Sequence, residues 1–228
     1  MTKTNPKAER RERIIESALK IFAEKGFQDA TISEISKAAG VSDATVYEYF
    51  NSKEELLFTI PEDITEESIR ETEKVLPYLR GAESKLRAIV QSYITTYEKN
   101  PEYANLIMLH LKANRNFIKS KAYEVVRDAA RMLLACINEG IGDGTFKKET
   151  DPYLVRSMIL GTIEHLYTRK HLQGAPDNMR EQVDPIVDLV LDGIRVLKQP
   201  KGISLHLHLT GDVQAPDQNV TITEEEKT

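Results

Sequence analysis

The sequence predicts an all-α protein: a cluster of short helices over the first sixty residues, then a larger helical bundle. Three observations carry this. Apolar residues recur at steps of three and four along almost the whole chain, the period of a helix with one buried face. Proline and glycine are sparse, 9 and 11 among 228 residues. The alternation expected of a strand occurs once, near the C-terminus.

Composition narrows the classes. A hydrophobic content of 40 % sustains a real core. No apolar run is long enough to span a bilayer, so no membrane partner is expected. The opening MTKTNPKAERRER has no apolar stretch behind its positive charges and does not read as a signal peptide, which makes the expected location cytoplasmic. Cys136 is the only cysteine, excluding an internal disulfide and a multi-cysteine metal site. With no phosphate-loop, His-Glu-x-x-His or paired-acid pattern, neither catalysis, a cofactor nor a metal is expected. The net charge of −5 argues against a chain wholly devoted to nucleic acid, but allows a small DNA-reading part on an acidic body.

In the first segment Ile14, Ile15, Ala18, Leu19 and Phe22 form one apolar stripe. They predict a helix from about Ala8 to Lys25, stopped by Gly26. TISE, Thr31 to Glu34, has the Thr-x-x-Glu form of a capping box and opens a short helix through Ile35, Ala38 and Ala39, ended by Gly40. Ser42 caps a third helix, and SKEE, Ser52 to Glu55, opens a fourth. Two short helices about Gly40 make a helix-turn-helix, which must rest on the first and fourth because helices this short do not persist alone. On the third, Val46 and Phe50 are the core anchors, leaving Ala44 and Tyr47 to face elsewhere. Spacing alone leaves both DNA binding and an ordinary small bundle open.

The run from Arg13 to Leu57, above all TISEISKAAGVSDATVYEYFNSKEELL, resembles the DNA-binding domain of the tetracycline-repressor (TetR) family of transcription regulators. The matching features are FAEKGFQDAT, the AAGVS turn, Thr45-Val46-Tyr47-x-Tyr49-Phe50, and Ser52-Lys53-Glu54. The resemblance implies a DNA-binding domain over 1–60 and an effector-binding and dimerisation domain over 61–200. It also implies a homodimer whose recognition helices enter successive major grooves of a palindromic operator. On that reading the hydroxyls of Thr31, Ser42 and Tyr49, the N–H groups at helix starts, and Lys53 hold phosphates. The positive dipole end at the start of the fourth helix adds to the pull of Lys53. In the recognition helix, which includes Thr45, small Ala44 permits close approach and Tyr47 offers a ring and a hydroxyl to the groove. Lys3, Lys7, Arg10, Arg11 and Arg13 against Glu9 and Glu12, five minus two, leave three net positive charges beside the duplex.

Asp43 and Glu48 are unexpected beside a polyanion, and Asp43 departs from the cation or small residue common in the family. Asp43 could supplement the Ser42 cap, and either carboxylate could accept from a cytosine amino group. Both could equally be solvated flank residues.

Breaks at Pro61, Pro77 to Gly81, Asn100-Pro101, Asn116, Gly140 to Gly144 and Gly174 to Pro176 predict helices over about 63–76, 82–99, 101–114, 119–140, 151–172 and 179–198. The stretch EGIGDGTFKKETDPYLVRSMILGTIEHLYTRKHL also resembles the branch of the family that senses fatty acyl thioesters and similar apolar effectors. That resemblance rests on the glycine-rich turn before Phe146, Asp151-Pro152 and Gly161. Residues placed to line an effector site are Tyr93 and Tyr97, one turn apart; Met108, Leu111 and Arg115 on the next helix; Met132 and Cys136, four apart; and Met158, Thr162 and His165 on the penultimate helix. Methionine and tyrosine adapt well around an irregular apolar ligand, although each of these residues also reads as ordinary core. Arg115, Arg169 and Lys170 would either meet an anionic ligand head or be solvated.

Leu154, Ile159, Ile163 and Leu166 on 151–172, with Val183, Val187, Val190, Leu191, Ile194 and Leu197 on 179–198, exceed what one packed face consumes, as expected of a dimer interface. In the tail, 201–228, Ile203, Leu205, Leu207 and Leu209 alternate as a strand, His206 and His208 share a face, and EEEKT reads as disordered. The expected function is a ligand-responsive transcriptional regulator, most simply a repressor. A helical protein-interaction adaptor and an apolar-ligand carrier without DNA binding are the alternatives, which salt-dependent DNA binding would separate.

Overall fold

Nine α-helices account for most of the described residues, 5–112 and 114–196, in a computed structural model of the chain. They are α1 Pro6–Asp29, α2 Ile32–Ala39, α3 Asp43–Tyr49, α4 Lys53–Val75, α5 Ala82–Lys99, α6 Pro101–Asn105, α7 Lys121–Gly142, α8 Pro152–Gln173 and α9 Val183–Ile194. The only extended pairing among these residues is an isolated antiparallel bridge between Phe146 and Arg195. Lys3, Leu197, the 203–209 strand pattern with His206 and His208, and the EEEKT ending lie outside the described residues.

Local chemistry sets the helix ends. Gly26, at φ 76° and ψ 172°, breaks α1 internally, and a last turn follows it to Asp29. The first capping box is closed in both directions: Thr31 Oγ1 accepts from the Glu34 N–H at 3.2 Å, and Glu34 Oε2 accepts from the Thr31 N–H at 3.0 Å. Gly40 ends α2 in the left-handed region, φ 66°. The second box differs from its expected form. Ser52 accepts from the Glu55 N–H, but the Glu55 carboxylate reaches back to the N–H of Asn51 at 2.7 Å rather than to that of Ser52.

Two expectations are corrected. Pro61 does not end a helix but lies inside α4. Proline removes one hydrogen bond, yet Leu56, Leu57, Ile60, Pro61 and Thr65 are all buried against neighbouring helices, and that packing outweighs the loss. The helix expected over 101–114 is short, because α6 passes into a π-helical segment, Leu106–Leu111. Widening the turn to i→i+5 brings Leu106 and Leu111 to one side, where both are fully buried.

Two cores result. The first gathers Ile14, Phe22, Ile35, Val46, Phe50 and Leu56 of the helix-turn-helix with Tyr103, Leu106, Ile107 and Leu111. The α6 segment and α4 meet the helix-turn-helix through α1, on which α2 packs. The second gathers Leu86, Ile89, Leu133, Phe146, Ile159, Ile163 and Val187 from α5 and α7 to α9. Phe146 seats directly on Gly140, where an added Cβ would lie 2.3 Å from its ring, so this glycine is required by close approach.

Candidate nucleic-acid interface and effector cavity

The sequence of α3 sorts itself by exposure. Val46 and Phe50 are buried, while Ala44, Tyr47 and Glu48 are exposed, Tyr47 by 54 %. These three form the free face of the recognition helix. Thr45 is half-buried; its N–H donates to Ser42 Oγ at 3.1 Å and the two hydroxyls lie 2.9 Å apart. The Thr31 hydroxyl donates to Glu34 Oε2 at 2.9 Å, so it serves its own helix cap. Lys25 binds Glu34 at 2.6 Å. That ammonium and the Thr31 donors hold the Glu34 carboxyl down to about 2.

Asp43 has a structural partner. The Ser36 hydroxyl, buried on α2, donates to the Asp43 carboxylate at the start of α3. The negative charge in the recognition helix therefore helps to hold the two helices of the motif together. Glu48 remains on the exposed face, bordering a cleft with Lys7, Arg10 and Tyr49. Tyr49 is half-buried against the first core, and Lys7 lies 6.0 Å above its ring.

The phosphate role expected of Lys53 meets a different arrangement. Its ammonium lies 2.7 Å from the carbonyls of Phe27 and Ala30, 3.4 Å from that of Gln28, and 4.5 Å above the Phe27 ring. Carbonyls at a helix C-terminus lack intrahelical donors and carry partial negative charge, which is what an ammonium satisfies. Lys53 ties α4 to the end of α1. Arg11 makes a similar tie, binding Asp63 at 2.8 Å with its guanidinium 5.8 Å from the Phe50 ring centre.

In the body, Tyr93, Tyr97 and Met132 line a cavity of about 40 Å³ between α4, α5 and α7. Tyr97 is the centre of an aromatic cluster, 6.4 Å from Tyr93, 5.9 Å from Tyr103 and 5.2 Å from Tyr167. Burial pushes all four phenols upward, Tyr103 to about 12. The Tyr167 hydroxyl donates to the Ile94 carbonyl at 2.9 Å, and that of Tyr103 pairs with Thr65 Oγ1 at 3.0 Å.

Other residues expected at the effector site lie elsewhere. Met108 packs against both cores without lining the cavity, Leu111 belongs to the first core, and Arg115 is exposed. Cys136 turns its sulfur to the Ala82 carbonyl at 3.0 Å, and burial pushes its thiol up to about 12. Met158, Thr162 and His165 are exposed on the outer side of α8, whereas Ile159 and Ile163 point into the monomer's own core. Of the residues expected at the dimer interface, Ile159 and Ile163 thus lie inside and Leu154 outside, while Met158, Thr162 and His165, expected at the effector site, lie outside. Apolar residues lie on both sides of this helix, so its period does not say which side faces inward.

A feature missed in the sequence is a hydroxyl seam between α4 and α5. Ser68 Oγ lies 2.7 Å from Thr96 Oγ1 and 3.3 Å from Ser92 Oγ, and Thr72 Oγ1 lies 2.5 Å from Ser92 Oγ. Beyond the seam, on the outer side, a groove of about 520 Å³ runs between the two helices. The signal was the spacing of Thr65, Ser68 and Thr72 at i, i+3 and i+7, matched by Ser92 and Thr96 at i and i+4.

A helix-turn-helix with an open recognition face on a helical body is the architecture of a transcriptional regulator, not of an enzyme. Residues 14–60 match the bacterial regulatory proteins of the tetR family, and residues 63–193 match the C-terminal region of YsiA-like protein. The chain belongs to the TetR family, and its relatives group it with the fatty acid regulators. It is 26 % identical over 181 residues to the fatty acid metabolism regulator protein of Bacillus subtilis, covering 79 % of this chain and 93 % of that one. Among solved structures it is similar to the fatty acid degradation regulator FadR from Bacillus halodurans, at 29 % identity and a TM-score of 0.75, over 84 % of this chain and 98 % of that one. It is also similar to FadR from Bacillus subtilis in complex with stearoyl-CoA, at 26 % identity and a TM-score of 0.74, over 81 % and 99 %. Among the described residues no helix is long and apolar enough to cross a membrane, and no group of three or more His, Cys, Asp or Glu could hold a metal ion.

Proposed function

We propose that the protein is a repressor that binds palindromic operator DNA as a homodimer and is released by a small apolar effector, long-chain acyl thioesters being the first candidates. The observation that carries this reading is the double duty of α4. Its Leu56, Leu57 and Ile60 belong to the helix-turn-helix core, and its Thr65, Ser68, Ile69 and Thr72 line the cavity. A change of shape at the cavity therefore acts on an element that supports the DNA-reading helices. The stearoyl-CoA complex of the similar Bacillus subtilis protein supports the acyl class.

In this reading Ala44, Tyr47 and Glu48 read bases, and Ser42, Thr45, Lys7 and Arg10 contact the phosphate backbone. The dimer forms through the outer face of α8, with Leu154, Met158, Thr162 and His165, together with Leu189 of α9, all exposed in the monomer. A cavity of about 40 Å³ holds only a few waters, so admitting an acyl chain requires α4 and α5 to part. An effector that favours the parted state with a coupling of roughly 1–3 kcal/mol lowers operator affinity about 5- to 150-fold.

Selecting binding sites from random DNA, followed by effector titration of the best site, tests the whole reading. The expected result is a two-fold symmetric site released by acyl thioesters. Absence of salt-dependent DNA binding would leave the adaptor or carrier reading instead.

A further inference from the structure

We propose that the segment joining the π-helical turn Leu106–Leu111 to α7 is a second DNA contact, carried by the body rather than by the helix-turn-helix, in which Arg115 and Lys119 bind phosphates of the strand beside the recognition helix. The inference rests on the operator-binding reading above and extends the surface that touches the duplex.

The charge of this stretch departs from that of the chain. Acids outnumber cations overall, 36 to 31, yet between Glu102 and Glu124 stand Lys112, Arg115, Lys119 and Lys121 and no acid. The fold compensates two of the four: Lys112 pairs with Glu164, and Lys121 with Glu62. Arg115 and Lys119 are exposed and make no ion pair among the described residues. Two uncompensated cations with no acid between them are an attraction for a polyanion.

Placement sets what these cations can meet. The segment is fastened at two points to the DNA-binding domain. Near its start, His110 abuts the Gly26 kink of α1, where an added Cβ would lie 3.6 Å from the imidazole. At its middle, the Asn116 amide donates to Glu54 Oε1 at 2.9 Å, on the first turn of α4. Phe117 is buried next to that anchor, its ring centre 5.6 Å from Phe58 and 5.7 Å from Tyr123. Arg115 immediately precedes the first of these anchored residues and Lys119 follows the second by two, so both side chains leave a held backbone.

The first turn of α4 is also where a phosphate strand would pass. The recognition helix α3 has 7 residues, about 10 Å of length at the ordinary rise, against a major groove about 12 Å wide. A helix of that length seated in the groove has its ends near the rims, and the rims are the phosphate strands. Only Phe50, Asn51 and Ser52 separate α3 from α4, so a loop docked on Glu54 lies beside a rim. Lys53, the cation of that turn, is committed to the carbonyls of Phe27 and Ala30. The body loop supplies the free positive charge that the turn itself lacks, and phosphate contacts of this kind fix orientation without reading sequence.

The test uses the full chain and an operator obtained by selection from random DNA. Arg115→Ala with Lys119→Ala should weaken binding about tenfold or more at about 0.1 M salt, lower the salt slope by about two, and leave the melting temperature in place. Arg115→Lys with Lys119→Arg should keep the slope. Asn116→Ala, which removes no charge, should weaken binding severalfold by freeing the loop from Glu54. Replacing single phosphates by neutral methylphosphonates then locates the contact: a few positions per half-site should matter to the parent and cease to matter to the double alanine variant. Equal slopes for the parent and that variant, or an unaltered pattern of sensitive phosphates, would overturn the proposal and leave both cations as solvated surface. If the parent itself binds no selected DNA in a salt-dependent way, the operator reading falls, a result distinct from the loss of two contacts by a protein that binds.

Discussion

The Ser36 hydroxyl on α2 donates to the Asp43 carboxylate in the first turn of α3, joining the two helices of the DNA-reading motif through a charge-assisted bond. Asp43→Ala removes that bond and leaves the Ser36 hydroxyl only the Ser33 carbonyl of its own helix, 3.0 Å away, so the tie between the two helices is lost. The expected loss is about 1–3 kcal/mol of stability in thermal unfolding, with weaker binding to all DNA sequences alike. Asp43→Asn keeps an acceptor and should recover most of it. Tyr47→Ala, on the exposed face, should instead change the preference among operators, costing about 1–3 kcal/mol on the best site. If Asp43→Ala altered base preference and left stability alone, its carboxylate would have to face the groove.

Lys53 offers a sharper contrast. With its ammonium on the carbonyls at the end of α1, Lys53→Ala should lower the stability of the helix-turn-helix by about 1–3 kcal/mol. The salt dependence of DNA binding should keep its slope. Lys7→Ala or Arg10→Ala, beside the exposed cleft, should reduce that slope by about one each and hardly move the melting temperature. A Lys53→Ala protein of unchanged stability whose salt slope fell by about one would reverse the assignment.

Glu34 predicts a pH dependence. Its carboxyl is held at about 2 in the folded protein, against an ordinary value of 4.5, chiefly by Lys25 and then by the Thr31 donors. A depressed folded value means that the contribution is present above the unfolded value and lost as pH falls through the folded one. Stability owed to this cap should therefore decline between pH 4.5 and about 2. In urea titrations across that range Glu34→Gln should show a shallower acid loss than the parent. Parallel acid limbs for the two proteins would remove Glu34 from the account.

Assembly can be tested without confounding it with folding. Met158 and Leu189 are exposed in the monomer, by 49 % and 73 %, so Met158→Lys with Leu189→Lys should give folded monomers by sedimentation and circular dichroism. Their operator affinity should fall steeply, since one short recognition helix makes few contacts. Ile163→Lys places a charge in the monomer's own core and should unfold the body, at a cost of about 3–5 kcal/mol. A Met158→Lys, Leu189→Lys protein that stays dimeric would place the interface elsewhere.

What could be read from the sequence depended on the range of the interaction. The Thr31–Glu34 capping box, the Gly40 stop and the anchors Val46 and Phe50 follow from residues within four positions of one another, and these were legible. The carbonyl contacts of Lys53 were not legible because its partners lie at the end of α1, twenty-three or more residues away, and a lysine at a helix start reads the same whether it meets a carbonyl or a phosphate. Pro61 was read as a break because a local rule was applied where packing on both sides decided the outcome. On α8, apolar residues on both sides hid which stripe faced inward. Of the cavity lining, Tyr93, Tyr97 and Met132 were legible, but the Ser68 and Ser92 seam was not, because hydroxyls at helical spacing look like a solvated face until the opposing helix is known.

The continuity of α4 through Pro61 also sets a mechanical gain. From Ser68 at the seam to Lys53 at its first turn is fifteen residues, about 22 Å of rod at the ordinary helical rise. A tilt of about 5° about the seam would carry the Lys53 end sideways by about 2 Å, a displacement comparable to known helix shifts. In a two-fold dimer the same tilt occurs on both sides, so the separation of the recognition helices changes by up to twice that amount. Operator half-sites have a fixed spacing, which makes the duplex a ruler against which a small angular change far from the DNA is measured.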